Sequence, residues 1–513
     1  MKRAGIVFGV VFLLLLLIDR NRLLFGTNDE GIYLDAAARM LHGEKLYADF
    51  FGYISPGVYW VQETFFRVFG MTLEAGRLAV LLYFSFECAL VYWLTTCFAP
   101  RGAAFFAAFL FFAIQASDLS FLTAQHRWDS GAISLASIAL AVRGHSSSAR
   151  WPWVAAGALG VTAALFTPSM LLVAGATLAW LLIDRELRTR VVPFLAGGTL
   201  AALALLGLTA ATGILMPFID QMRWLSRNYS TVNVMAYGET IGGYQSLLSG
   251  PLNADLVLRA LIVLCLALPA ILPVLNLAGW TVALRKTAVP QRRVLIYLLL
   301  CSVALVASTY PRPDLMHLAW VAPVAYVLGA ALFANALPKW SQAAAIVVTM
   351  FGATLLLLHM ATTLGGVPLA TPVGTVLASQ DSADAVRSLL GQVKPGDTAF
   401  VHPYKPLLYF LTQAKNPTRY SYLAPGLMTD QDEQSALTDL KQTPPKWVLF
   451  LRLSPEEFLR VFPNADQSRI HFPTLESWID DNYAPTTLQI AGYNLMSYVG
   501  PVANRRRVAN PPN

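Results

Sequence analysis

The chain has 513 residues, 56% of them hydrophobic and only 13% charged, with a mean hydropathy of +0.53. Soluble domains carry roughly a quarter charged residues, so this composition excludes an ordinary soluble protein and indicates a multi-span membrane protein with a polar remainder. The net charge of +7 falls mainly as Arg in loops between apolar runs, where membrane orientation accounts for it without a nucleic-acid partner.

Residues 1–25 open with Met-Lys-Arg and an apolar run from Ala4 to Ile18, interrupted by Asp19-Arg20. No small-residue cleavage site follows, so this reads as a retained first span with its N-terminus inside. The run is short against the roughly 20 residues a bilayer needs; Arg20 and Arg22 can snorkel while Leu23, Leu24 and Phe25 complete it. Further apolar segments are expected near 73–98, 102–118, 129–142, 151–167, 169–184, 191–214, 256–284, 294–309, 315–334 and 341–360, which makes about eleven spans. Alternation then places Arg101, Arg143–Arg150, Asp184–Arg190 and Arg285–Arg293 inside, each with Lys or Arg, as the positive-inside rule requires. The C-terminus falls outside. Cys88, Cys97, Cys265 and Cys301 lie in or beside apolar runs without metal-type spacing and read as packing residues.

The expected organisation is a membrane domain over 1–362, with outside loops at 26–70 and 215–255, then a linker at 363–380 and an α/β domain at 381–500 outside the membrane. A disordered tail covers 501–513. Within the α/β domain, helices are expected at Ser382–Val393, Pro406–Leu411, Gln431–Lys441 and Leu475–Tyr483, and strands at Thr398–His402, Trp447–Leu451 and Tyr493–Val499.

Four constellations carry chemistry. Asp29 and Glu30 stand directly after the first span, and a carboxylate pair there is costly and usually functional. Helical geometry puts Asp29 and Tyr33 on one face while Glu30 points elsewhere; simple helix capping is the bland alternative. Gln125-His126-Arg127-Trp128-Asp129 marks the outer end of the fourth span, where an interfacial Arg-Asp pair with a Trp anchor would look alike. The loop from Pro217 to Pro251 mixes Arg223, Trp224, Arg227, Asn228, Tyr229, Tyr237 and Tyr244, a combination suited to a phosphate and a sugar, or to a plain interfacial helix. Tyr310-Pro311-Arg312-Pro313-Asp314 with His317 could meet a phosphate or form an ordinary turn. There is no Walker sequence, GxGxxG after a strand, HExxH or paired-Cys motif, which argues against an ATP-driven pump.

The stretch DEGIYLDAAARMLHGEKLYADFFGYISPGVYWVQETFFRVFG resembles the membrane glycosyltransferases of the GT-C fold, in the bacterial branch related to protein O-mannosyltransferases and the lipid A aminoarabinose transferase. The likeness consists of an acidic pair in the first outside loop, "G..LY.DFF" and a Pro-Gly helix start. It is specific over about forty residues, and the multi-span layout extends it loosely across the chain.

The resemblance implies a polyprenyl-phosphate-linked sugar as donor. It also implies an outer-face hexosyl- or pentosyltransferase of the cytoplasmic membrane, with a lipid, glycan or protein acceptor. It assigns the first-loop acid to Asp29 and a second acid to Asp129, although HRWDSGA departs from the family's usual sequence there. Arg312, His317 and Pro323 match its late-span pattern loosely. The chemistry then reads as Asp29 the base, Asp129 an orienter or metal partner, and Arg127, Arg223, Arg227 and Arg312 phosphate ligands. Glu30, Tyr33, His126 and His317 complete the expected binding set. No cofactor is assigned; a divalent metal could share the phosphate's charge. The competing readings are a transporter or flippase for a lipid-linked glycan and a non-catalytic envelope assembly protein.

Overall fold

The structure is a computed structural model, and it describes residues 2–25, 28–239, 248–337, 339–362 and 364–501. The expected tail and Tyr244 lie outside those residues, Pro501 excepted. Each expected apolar segment is helical. In order they are α1 (Lys2–Ile18), then α2 (Asn28–Leu41) and α3 (Gly57–Phe69) of the first loop, followed by α4 (Leu73–Thr96), α5 (Arg101–Ala116), α6 (His126–His145), α7 (Trp151–Ala164), α8 (Leu171–Ile183) and α9 (Val191–Ala211). The next loop folds as α10 (Leu215–Asn228) and α11 (Ser230–Asn233). After it come α12 (Ala254–Ala283), α13 (Val289–Ala307), α14 (Leu315–Trp320), α15 (Pro323–Ala336) and α16 (Lys339–Thr362). Among the described residues, five helices are long and apolar enough to cross a membrane: those at 73–96, 188–211, 254–286, 289–307 and 339–358. The segment expected as one span over 315–334 is two helices. Pro323 opens α15, since its ring fits a first helical turn and breaks an interior.

The polar remainder carries a sheet of order β3-β4-β6-β5, built from β3 (Ala399–His402), β4 (Trp447–Phe450), β5 (Tyr483–Ile490) and β6 (Tyr493–Tyr498). Its helices are α17 (Gln380–Gln392), α18 (Leu407–Thr412), α19 (Asp430–Gln442), α20 (Pro455–Val461) and α21 (Pro473–Asn482). β3 and β4 are parallel, while β4, β6 and β5 run antiparallel. The expected linker is partly ordered structure. β1 (Val367–Thr371) and β2 (Gly374–Ala378) form an antiparallel hairpin, and Leu377 exchanges hydrogen bonds with Leu23 and Asn21, at 2.7 and 2.9 Å. Gly374, with φ +95, makes the turn that an L side chain would strain.

Among the contacts that hold the first loop between the bundle and this domain, three fix its position. The connector after α2 buries Phe51 in the domain's core beside Trp224 of α10, with ring centroids 5.0 Å apart, and Tyr420. Gly31 lies against the start of α18: a Cβ there would sit 2.2 Å from the Leu407 backbone nitrogen, so no larger residue fits without moving backbone. The third contact is ionic. Arg77 of α4 is fully buried and forks onto Glu30, Nε to Oε1 at 2.7 Å and Nη2 to Oε2 at 2.8 Å, while Nη1 reaches Asp19 Oδ1 at 3.2 Å and its carbonyl at 3.0 Å. Asp19 and Glu30 are also fully buried. Removing the cation strands two buried carboxylates, and breaking one partner of such a pair costs about 3–5 kcal/mol. Arg77→Gln is therefore expected to lower the melting temperature of the detergent-solubilised protein sharply, with Arg77→Lys intermediate; thermal unfolding by intrinsic fluorescence measures it.

Candidate active site

Asp29 and Glu30 occupy the first turn of α2, where the helix dipole favours negative charge. The 100° step between neighbours sends them apart. Glu30 goes inward to Arg77, and also accepts from the Ala124 backbone at 3.3 Å. Asp29 goes outward into a cavity of about 350 Å³ at the seam between the helical bundle and the sheet domain. Arg312, Asp314 and His317 reach it from the segment before and within α14, Tyr229 and Asn233 from α10–α11, Gln125 from the start of α6, and Tyr404, Tyr422 and Phe462 from the sheet domain.

Each charged group there is held in place. Asp314 caps α14, its Oδ1 accepting from the His317 backbone at 2.9 Å and pairing with the His317 ring Nδ1 at 2.8 Å. Arg312 donates from Nε to Asp314 Oδ2 at 2.7 Å, from Nη1 to Asn233 at 3.4 Å and from Nη2 to the Val461 carbonyl at 3.2 Å, with its guanidinium 4.9 Å from the Phe462 ring centroid. Burial alone would raise the Asp314 carboxyl, but the His317 hydrogen bonds and the Arg312 charge outweigh it and hold the carboxyl well below its usual range. Asp29 behaves oppositely. Its side chain keeps solvent contact through the cavity, yet protein encloses it on the remaining sides, and that enclosure raises its pKa. The charges of Arg312 and His317 and a hydrogen bond from Gln125 oppose the rise without cancelling it. An enclosed carboxylate of raised basicity is the state a general base needs. Tyr53 stacks near Tyr229 at 6.3 Å and near Tyr422 at 5.8 Å, and Tyr404 meets Tyr422 edge-on at 6.2 Å. Enclosure and the Asp29 charge push the Tyr404 phenol up to about 12, so it is a neutral hydrogen-bond donor across the physiological range.

Of the expected catalytic and binding set, Asp29, Arg312 and His317 meet in this cavity, together with Gln125, Tyr229 and Asp314 of the same sequence clusters. The others lie elsewhere. Asp129 is 2% exposed and turned into the bundle, where its charge would act on Glu87 of α4; its Oδ2 and both Glu87 oxygens have no partner among the described residues. It does not face Asp29. Glu30 is consumed by Arg77. Tyr33 packs between Tyr59 and His126, at 5.7 and 6.3 Å, and His126 is tied to Thr167 through Nδ1 at 2.6 Å. Arg127 lies behind the wall, bonded to the Ser308 carbonyl at 3.3 Å, close enough for its charge to act on Tyr229. Arg223 and Arg227 are exposed on the outer face of α10, Arg223 paired with Asp220 at 3.1 Å, while Trp224 takes the face that packs. Sequence reasoning missed Tyr404 and Tyr422 altogether, since they arrive from a domain some 375 positions away, and it left Asp314, Asn233 and Gln125 outside its binding set. The hydrogen-bonding run Asp314-x-x-His317, which reads as a helix cap, was the available signal for Asp314.

A metal does not suit these residues. Among the described residues no group of three or more His, Cys, Asp or Glu is gathered to hold one, and both Asp314 oxygens are committed to Arg312 and His317.

No family model matches the chain, and no curated protein does. Solved structures do. ArnT from Cupriavidus metallidurans bound to undecaprenyl phosphate matches with a TM-score of 0.59 at 13% identity, over 96% of this chain and 98% of that one. The archaeal oligosaccharyltransferase AglB from Archaeoglobus fulgidus, in complex with an inhibitory peptide and a dolichol-phosphate, matches with a TM-score of 0.54 at 12% identity, over 97% of this chain and 74% of that one. This chain has the GT-C fold. At such low identity the likeness is one of architecture, so the chemistry has to be argued from the cavity's own side chains.

That cavity separates the two acids. Asp129→Asn is expected to leave whatever reaction this cavity supports within about threefold of wild type, because the group lies outside the cavity, and Arg223→Ala with Arg227→Ala likewise. Initial rates on purified protein measure this, and a loss of a hundredfold in Asp129→Asn would return that residue to the chemistry.

Proposed function

We propose that the protein is an inverting glycosyltransferase that moves a sugar from a polyprenyl-phosphate donor to a hydroxyl acceptor at the outer face of the cytoplasmic membrane. In this reading residues 1–362 form the membrane domain, with the N-terminus in the cytoplasm, and 381–500 form a domain on the far side. What carries the reading is an enclosed, solvent-touching carboxylate, Asp29, sharing one polar cavity with a fixed guanidinium, Arg312. The polyprenyl-phosphate ligands named for ArnT and AglB support the donor class.

A sugar joined to phosphate already has a good leaving group, so no strong general acid is needed. Asp29 takes the acceptor hydroxyl's proton as that oxygen attacks the anomeric carbon. The bond from that carbon to the phosphate oxygen breaks, and the negative charge departing with the phosphate is met by Arg312 and by neutral donors, Tyr404 among them. Attack from the side opposite the phosphate inverts the anomeric centre. The Asp314–His317 pair acts on Arg312 by fixing it, which makes these two positioning residues.

The test uses the purified protein in lipid nanodiscs with a radiolabelled undecaprenyl-phosphate-linked sugar and membrane extract as acceptor source. Asp29→Asn is expected to fold and to lose transfer by about 10²–10⁴-fold, the usual size of a general-base contribution; full activity in that variant would overturn the assignment. The pH profile is a second reading. The base works ionised, so kcat/KM should rise with pH through a midpoint above the ordinary aspartate value of 3.8. Arg312 holds that midpoint down, so Arg312→Gln should displace the acidic limb to higher pH as well as raising the donor KM.

A further inference from the structure

A second cavity lies beyond the other face of α2. It has a volume of about 1210 Å³ and is walled by α2, the turn that follows it and the sheet domain. It shares no lining residue with the cavity that holds Asp29. The same helix serves both. Asp29 marks its first turn and Arg39 stands ten residues later, about 15 Å along the axis at 1.5 Å per residue.

Two buried polar atoms belonging to residues of this wall have no partner among the described residues: Oδ2 of Asp35, a residue only 5% exposed, and Nε of Arg419. The Arg419 Nη2 is occupied by the Tyr47 carbonyl at 3.1 Å. An unsatisfied buried acceptor and donor each cost free energy that an entering ligand would return. Burial raises the Asp35 carboxyl to about 6, against the pull of Arg39 and a hydrogen bond from Ser421, so it remains an acceptor at neutral pH, with Oδ2 the oxygen left unpaired among the described residues.

The wall's composition narrows the ligand. Asp35, Glu44, Asp49 and Asp439 stand against Arg39, Lys415 and Arg419, and Arg39 is already paired with Glu44 at 2.6 Å. An anion would need clustered, uncommitted cations. An apolar ligand would leave this wall unsatisfied. Interspersed carboxylate, guanidinium and amide groups suit a ligand whose groups each donate and accept, which is the property of hydroxyls.

We infer that this second cavity is a saccharide-binding site, separate from the transfer cavity and recognising a neutral or amino-sugar unit through Asp35 and Arg419. The choice of saccharide among polyhydroxyl ligands rests on the glycosyltransferase reading. The cavity and its unpaired groups do not.

The experiment displays the full chain in lipid nanodiscs on a printed array of short neutral and amino-sugar oligosaccharides. Wild type and Asp29→Asn are expected to retain the same saccharides, and Asp35→Asn with Arg419→Gln to lose at least tenfold in retention. Because Asp35 is buried and Arg419 half-buried, Lys415→Ala with Asp439→Asn, at exposed and half-buried positions, provides a second variant expected to lose several-fold with an unchanged melting temperature. Failure of folded wild type to retain any saccharide overturns the inference. So does retention abolished by Asp29→Asn and untouched by both double variants, which would assign binding to the transfer cavity. If Asp29→Asn keeps transfer while array retention follows the double variants, the catalytic reading fails and this site stands.

Discussion

Arg77 is the point on which three parts of the chain converge. Its guanidinium takes the end of the first helix through Asp19 and the start of α2 through Glu30, all three groups fully buried. In such a place a charge is tolerated only when its geometry is filled, and the planar fork matches a carboxylate in a way an ammonium cannot. With Glu30 pinned, the helix has no rotational freedom left, and Asp29 is delivered to the cavity by the fixed angular step between successive residues. Two acids in a row thus divide their labour: one holds the helix, and the other is held out to the solvent.

The cavity is a joint product. Its cationic side comes from the bundle, where Asp314 both starts a helix and locks Arg312, and much of its aromatic side comes from the sheet domain through Tyr404, Tyr422 and Phe462. Neither part alone encloses Asp29. The enclosure raises the acid's basicity, and the guanidinium in the same chamber limits the rise, so the neighbours that would meet a departing charge in the proposed reaction also set the basicity of Asp29.

Much of this was legible in the sequence where a local rule decides. Apolar length set the helices to within a few residues, and a short continuous apolar run, Trp447–Leu451, announced a buried strand. The 3.6 period separated Asp29 from Glu30 before any coordinates. What could not be read was which of the two faced the cavity, because the deciding partner, Arg77, stands 47 positions away in an apolar helix and gives no signal there. Asp129 misled for the complementary reason: an acid in a helix's first turn looks alike whether it points to a chamber or into the bundle. The hairpin at 367–378 was passed over as a linker because its Pro and Gly read as breakers, and its pairing with the segment around Leu23 is a long-range fact.

That pairing, with the glycine contact between α2 and Leu407, sets an order of assembly. A chain emerging from the ribosome inserts its helices from the first onward, but the second helix lacks its neighbour on the Gly31 side until more than 370 further residues have been made. The chamber around Asp29 is therefore closed last, by the C-terminal portion returning to the beginning. A nascent or truncated chain can be threaded through the bilayer with that chamber still unwalled on one side.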